Sequence, residues 1–152
     1  MLRIFAGLLI FFASLSAQAD APQGYPFLSF DAAMARAQAE NRPVFVYFGR
    51  YGCGYCEKTN KEAFSDAQVR ERYTQNYVLA YVDSESGKRL RLPSGERITE
   101  RELGTRYDAF VTPVFSYLDS SGALQHRLVG VQSRETLLAA DEVARAQLAR
   151  GE

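Results

Sequence analysis

The sequence predicts an α/β fold, a central mixed sheet of four to five strands flanked by helices. Three observations carry that expectation. Helical and strand signals alternate from residue 29 onward. Two runs, Val44-Phe45-Val46-Tyr47-Phe48 and the segment 77–82, are continuously apolar and rich in β-branched and aromatic residues, as strands covered on both faces are. A later pair of strand signals, 114–118 and 123–129, flanks the turn Asp119-Ser120-Ser121-Gly122 and reads as a hairpin.

Residues 1–19 read as a secretory signal rather than as part of the fold. Arg3 supplies a basic start, 4–15 is apolar except at Gly7 and Ser14, and Ala17-Gln18-Ala19 places small residues at a cleavage site. The competing reading is an uncleaved anchor, but this run is shorter than the ~20 residues a helix needs to cross a bilayer. Cleavage leaves one domain over 20–152, delivered to an oxidising compartment, the periplasm.

Within that domain, 20–28 holds Pro22, Gly24 and Pro26 and reads as an extended lead-in. Ser29 is a candidate N-cap for a helix over 30–40, which stops near Asn41-Arg42-Pro43. The first strand follows, then a loop over 49–52 and a helix over 53–63. Ser65 with Gln68 has capping-box spacing and opens a helix over 66–73. After the second strand, 84–97 is polar, with Gly87, Pro93, Gly95 and the bases Lys88, Arg89, Arg91 and Arg97. It is a long connection or a small hairpin, either a solvated insertion or a contact for an acidic partner. Thr99 with Glu102 repeats the capping-box spacing and starts a helix to about 107. Ser133 caps a closing helix to about 148, with Leu137, Leu138, Ala140, Val143, Ala144 and Leu148 as its apolar face. The order implies parallel strands joined by a right-handed crossover, with an antiparallel hairpin at one edge.

Composition excludes several functions. Eighteen basic side chains balance eighteen acidic ones, so binding nucleic acid by bulk charge is excluded. Two cysteines are too few for a disulfide scaffold, and one histidine is too few for most metal sites.

The chemistry lies in Cys53-Gly54-Tyr55-Cys56. Two thiols three positions apart at a helix start can close a small disulfide ring. The N-terminal end of a helix carries unpaired N–H groups and partial positive charge, which favour thiolate over thiol. A thiolate is the attacking species in disulfide exchange. Cys53 is therefore the candidate nucleophile, and Cys56, one turn further in, the resolving thiol. Gly54 and Tyr55 tune the potential and line the substrate. Three readings compete: a static structural disulfide, half of a zinc site drawing on His126 and carboxylates, and cysteines that are relics in a binding module.

The apolar strand followed by Cys53-Gly54-Tyr55-Cys56, together with Tyr107-Asp108-Ala109-Phe110-Val111-Thr112-Pro113-Val114, the Ser121-Gly122 turn and Gly130, resembles the thioredoxin-like superfamily. The resemblance spans about 29–148. It is closest to secreted bacterial thioredoxin-like proteins of the SoxW type, and the Gly-Tyr centre and Thr112 are similar to DsbC-type isomerases. It implies a thioredoxin-like fold and a cis Pro113 beside the cysteines. It also implies that Thr112 offers backbone groups to an extended substrate segment. It further implies a monomeric periplasmic thiol–disulfide oxidoreductase acting as a reductase of disulfides in exported proteins, such as an apocytochrome or a sulfur-oxidation enzyme. Its electrons would come from a membrane relay of the DsbD or CcdA type. No metal, nucleotide or flavin is implied, because the dithiol carries the two electrons. The alternatives are a disulfide oxidase or isomerase, or a non-enzymatic binding module with a structural disulfide.

The departures bear on mechanism. Where cytosolic-type thioredoxins carry a buried Asp six residues before the first cysteine, this chain has Tyr47. Where they carry Trp just before that cysteine, it has Gly52. The usual proton acceptor for the second cysteine is missing, which leaves Glu57 as a candidate. Lys58 and Lys61 are read as solvated helix residues and His126 as a surface strand residue. Tyr47, Phe48, Phe110 and Phe115 are read as core, and Tyr51 and Tyr55 as an apolar rim around the reactive sulfur.

Overall fold

The structure is a computed structural model describing residues 21–151; the predicted secretory signal over 1–19 lies outside the described residues. Its helices are α1 (Phe30–Glu40), α2 (Gly54–Thr59), α3 (Ala67–Asn76), α4 (Glu100–Arg106) and α5 (Arg134–Arg150). Its strands are β1 (Val44–Gly49), β2 (Val78–Asp83), β3 (Arg89–Arg91), β4 (Arg97–Thr99), β5 (Val114–Leu118) and β6 (Leu124–Val129).

The main sheet runs in the order β2-β1-β5-β6. β1 pairs parallel with β2 from Val44↔Val78 and antiparallel with β5 from Val44↔Leu118, and β5 pairs antiparallel with β6. All six residues of β1 are buried, because β1 is a central strand with a layer on each face. Successive side chains of a strand point to opposite faces. Val44, Val46 and Phe48 accordingly pack with Phe30, Ala33 and Met34 of α1. Phe45 and Tyr47 pack on the other side with Phe64, Tyr73, Phe115 and Leu137. The lead-in is tied down: Leu28 N–H donates to the Leu79 carbonyl and the Leu28 carbonyl accepts from Tyr81 N–H, so it bridges the outer edge of β2.

The second layer holds a polar knot. Tyr73 donates to the Leu137 carbonyl at 2.8 Å and shares a 2.5 Å contact with the Tyr117 hydroxyl. Tyr77 and Asn76 donate to the buried Asp141 carboxylate at 2.8 and 2.9 Å. Burial pushes the Tyr73, Tyr77 and Tyr117 hydroxyls above their ordinary ionisation range, so all three stay neutral donors.

Several local expectations change. Ser29 stands at the N-cap of α1, but its hydroxyl bonds Asp31 and caps nothing. The helix expected over 53–63 is two pieces, α2 and a π-helical turn, Asn60–Phe64. Asp66, not Ser65, caps α3, because its carboxylate accepts from both Gln68 and Val69 N–H groups. Tyr77 closes α3, and β2 begins one residue later. The segment 84–97 is the small hairpin of the two alternatives, β3–β4. The capping box expected of Thr99–Glu102 forms, and the cap expected of Ser133 forms as a capping box with Thr136. On α5 the buried face is Leu137, Ala140, Asp141 and Ala144. Val143 is 44% exposed, because the helix turns it off the stripe that Asp141 occupies.

Candidate active site

Cys53 and Cys56 form a disulfide at the end of β1, with 5.2 Å between their α-carbons. The approach is made by glycines. Gly49 ends β1, where a β-carbon would stand 2.5 Å from the Tyr81 hydroxyl. Gly52 takes φ +67°, a left-handed turn that a side chain would strain. That turn delivers Cys53 in extended conformation to the N-cap position of α2.

At the N-cap the Cys53 side chain does what an oxygen cap usually does. Its sulfur accepts from the Cys56 N–H at 3.1 Å. The sulfur also accepts from the Thr112 hydroxyl at 3.2 Å. Two donors on one sulfur, at the positive end of a helix, stabilise the thiolate formed on reduction. Cys53 is the outer sulfur residue, 5% exposed against none for Cys56. Attack from outside therefore reaches Cys53 first.

Thr112 and Pro113 come from the loop before β5. The Thr112–Pro113 peptide is cis. Gly130 N–H donates to the Pro113 carbonyl at 2.8 Å, fixing this loop to the end of β6. On the other side, Thr59 accepts from Gln132 N–H at 3.3 Å and donates to the Tyr55 carbonyl at 3.1 Å. That contact pins α2 to the entry of α5. The two halves of the site, Cys53–Cys56 and Thr112–Pro113, are thus held by separate loops on one sheet end.

Beneath the disulfide, the Tyr47 hydroxyl lies 3.3 Å from the Cys56 carbonyl and 3.0 Å from Asn60 Oδ1. Asn60, Gly52, Cys53, Gly54 and Glu57 line one small hollow at the surface. Glu57 does not approach Cys56 as a proton acceptor. Its carboxylate turns out to Lys61 at 2.8 Å, and that partner holds it below the usual carboxylate range. Lys58 pairs with Glu62, so both lysines lie on the solvated face of the helix, as the sequence suggests.

The rim differs from expectation at one position. Tyr51 and Tyr55 are 76% and 69% exposed, in line with the reading of an apolar rim. Phe110 is 71% exposed and Val111 follows it, so Phe110 is not core. The α4–β5 connection turns it outward, while its neighbour Ala109 is buried in the α1-side core. His126 is partly buried, with its ring against Tyr117 at 5.5 Å. Sequence reasoning missed the Thr112 hydroxyl, Asn60 and the Thr59–Gln132 link. The Thr112 and Thr59–Gln132 contacts join segments 59 and 73 residues apart, and Asn60 meets Tyr47 across the turn after β1.

Residues 30–143 match the family described as a thioredoxin-like domain, and the chain belongs to that family. Among solved structures it is similar to a thioredoxin from Thermus thermophilus, with 29% identity, 84% of this chain and 93% of that one covered, and a TM-score of 0.68. It is also similar to a candidate disulphide-isomerase from Bacteroides thetaiotaomicron, with 29% identity, 85% and 97% covered, and a TM-score of 0.63. The C-terminal domain of Neisseria meningitidis DsbD shares the fold at 20% identity, 73% and 90% covered, and a TM-score of 0.57. No curated protein matches the chain. With its paired cysteines at this place in this fold, the protein is a thiol–disulfide oxidoreductase.

Proposed function

We propose that this member of the thioredoxin-like family is a periplasmic reductase of disulfides in exported proteins. One observation carries the direction of the reaction: the donors on the Cys53 sulfur are neutral, the Cys56 N–H and the Thr112 hydroxyl. Strong oxidants of this kind owe their high potential to a heavily stabilised reduced form. Here Glu57, which lines the hollow beside Cys53, has its carboxylate paired with Lys61, so that pair brings no net positive charge to the sulfur. A moderately stabilised thiolate suits a reductase.

The cycle balances without a cofactor. The reduced Cys53 thiolate attacks one sulfur of a substrate disulfide, and the other sulfur leaves as a thiolate that takes a proton. The mixed disulfide is then attacked by Cys56, which gives up its own proton. The second substrate thiol is released and Cys53–Cys56 closes. The substrate gains two electrons and two protons, and a thiol-bearing donor must return them to the enzyme. The membrane relay of DsbD or CcdA type named by the resemblance is such a donor. Gly54, Tyr55, Thr112 and Pro113 form the substrate face, with the Thr112 backbone pairing to an extended segment beside Cys53. The signal read over 1–19 and a disulfide of this kind both suit an oxidising compartment.

Cys56→Ser tests the assignment. It should arrest the mixed disulfide at Cys53 and capture exported substrates, while Cys53→Ser captures none. A reduction potential near about −270 mV fits the reductase, and one near about −120 mV identifies an oxidase instead. A Cys53–Cys56 bond that resists mild dithiothreitol rejects the redox reading altogether.

A further inference from the structure

The hairpin β3–β4 displays an arginine face. Leu90 and Ile98 are paired across it and buried in the α1 side of the core. Strand alternation then turns Arg89, Arg91 and Arg97 to the opposite, outer face, where all three are exposed. Arg91 stands directly opposite Arg97 in the register. Like charges directly opposed on paired strands destabilise them. Among the described residues none of these three makes an ion pair, whereas Arg36, Arg42, Arg50, Arg72, Arg106, Arg127, Arg134 and Arg145 each do.

The local acids are already engaged. Both oxygens of Glu96 accept from Arg106, at 2.8 and 2.9 Å. Glu102 accepts from the N–H and hydroxyl of Thr99 in the capping box. Three cations therefore lie side by side on a platform anchored to the core: Arg89 acts through its charge on Glu102, and Arg91 and Arg97 have no ion-pair partner among the described residues.

The hairpin also grows from the catalytic end of the sheet. Ser84, one residue past β2, donates its N–H to the Gly49 carbonyl at 2.8 Å. Glu85 lies 3.7 Å from Arg50, three residues before Cys53. The hairpin itself packs on the α1 side of the sheet, while the connection leading to it starts at the sheet end that carries the disulfide.

We infer that the Arg89–Arg91–Arg97 face is a docking surface for acidic segments of the protein substrates that Cys53 reduces. The inference rests on the reductase reading and adds a substrate class to it. A run of carboxylates supplies the countercharge that the hairpin lacks. It also raises the local concentration of the attached disulfide at the site. An acidic protein segment is favoured over an anionic membrane because the connection leading to the hairpin starts at the sheet end that carries the disulfide, where a protein substrate must lie.

The experiment uses the full exported domain and three oxidised substrates. These are a disulfide-bridged peptide with a glutamate tail, the same peptide with a glutamine tail, and uncharged bis(2-hydroxyethyl) disulfide. At low salt the glutamate peptide should show about fivefold higher kcat/KM than the glutamine peptide, and the advantage should vanish at high ionic strength. Arg91→Ser/Arg97→Ser should erase the advantage and leave the rates on the glutamine peptide and the small disulfide unchanged. Its unfolding temperature should hold or rise, since the opposed charges are gone. Equal rates on the two peptides, or an advantage that survives the double substitution, overturn the docking surface. So does binding to phosphatidylglycerol vesicles without discrimination between the peptides, which assigns the face to lipid. Failure to reduce any of the three substrates overturns the reductase reading instead.

Discussion

The Thr112 hydroxyl donates to the Cys53 sulfur across 3.2 Å, joining two loops that are 59 residues apart in sequence. The contact makes the proline loop, part of the proposed substrate face, also part of the electrostatic environment of Cys53, the proposed nucleophile. A hydroxyl so placed offers a hydrogen bond to the thiolate that reduction would form at Cys53, and such a bond is worth more than one to a neutral sulfur.

Thr112→Val removes that donor and keeps the shape. The pH midpoint for alkylation of Cys53 by iodoacetamide should rise by roughly one pH unit, the equivalent of one charge-assisted hydrogen bond. The unfolding temperature should change little, because Thr112 is only half-buried. An unmoved midpoint would show that the Cys56 N–H and the helix end alone stabilise the thiolate.

The exposed rings Tyr55 and Phe110 are expected to bind the apolar flanks of a substrate segment. Tyr55→Ser/Phe110→Ser should lower kcat/KM on peptide disulfides about tenfold, from ~1.4 kcal/mol of lost apolar burial. The effect on bis(2-hydroxyethyl) disulfide should be much smaller. Equal losses on both substrates would place these rings in the chemistry rather than in docking.

Asp141 is the anchor of the second layer. Asp141→Ala leaves the buried Tyr77 hydroxyl and the partly buried Asn76 amide without their acceptor. It also removes the carboxylate that Arg72 and Arg145 approach at 3.6 and 3.8 Å. The expected cost is about 3 kcal/mol in chemical denaturation, with the potential of the distant disulfide unchanged. Asp141→Asn keeps the oxygen facing Tyr77 and should cost less than Asp141→Ala. The reverse order of the two variants would argue against a hydrogen-bonding role.

His126 makes stability depend on pH. Partial burial against Tyr117 lowers its pKa below the usual 6.5. Between that value and the lower folded one, the unfolded chain binds more protons than the folded chain. Stability therefore rises with pH through this window and levels off above it. His126 is the only histidine, so His126→Gln should flatten the slope in urea titrations above the carboxylate range. A slope retained in the variant would assign it to other groups.

Much of this protein was legible before any coordinates. Local physics sufficed for β1 and β2, whose continuous apolar, β-branched runs suit strands buried on both faces. It sufficed as well for the Thr99 and Ser133 caps, which depend on residues three apart. Cys53-Gly54-Tyr55-Cys56 at the head of a helix was enough to identify the redox pair. Tertiary structure decided what lies between remote segments. It brought Thr112 to Cys53, turned Glu57 away to Lys61 and exposed Phe110. It also buried Asp141 and lined up three arginines on one hairpin face. A hydrogen bond across the chain or a side chain's burial depends on how loops and layers meet, and no local window of sequence contains that geometry.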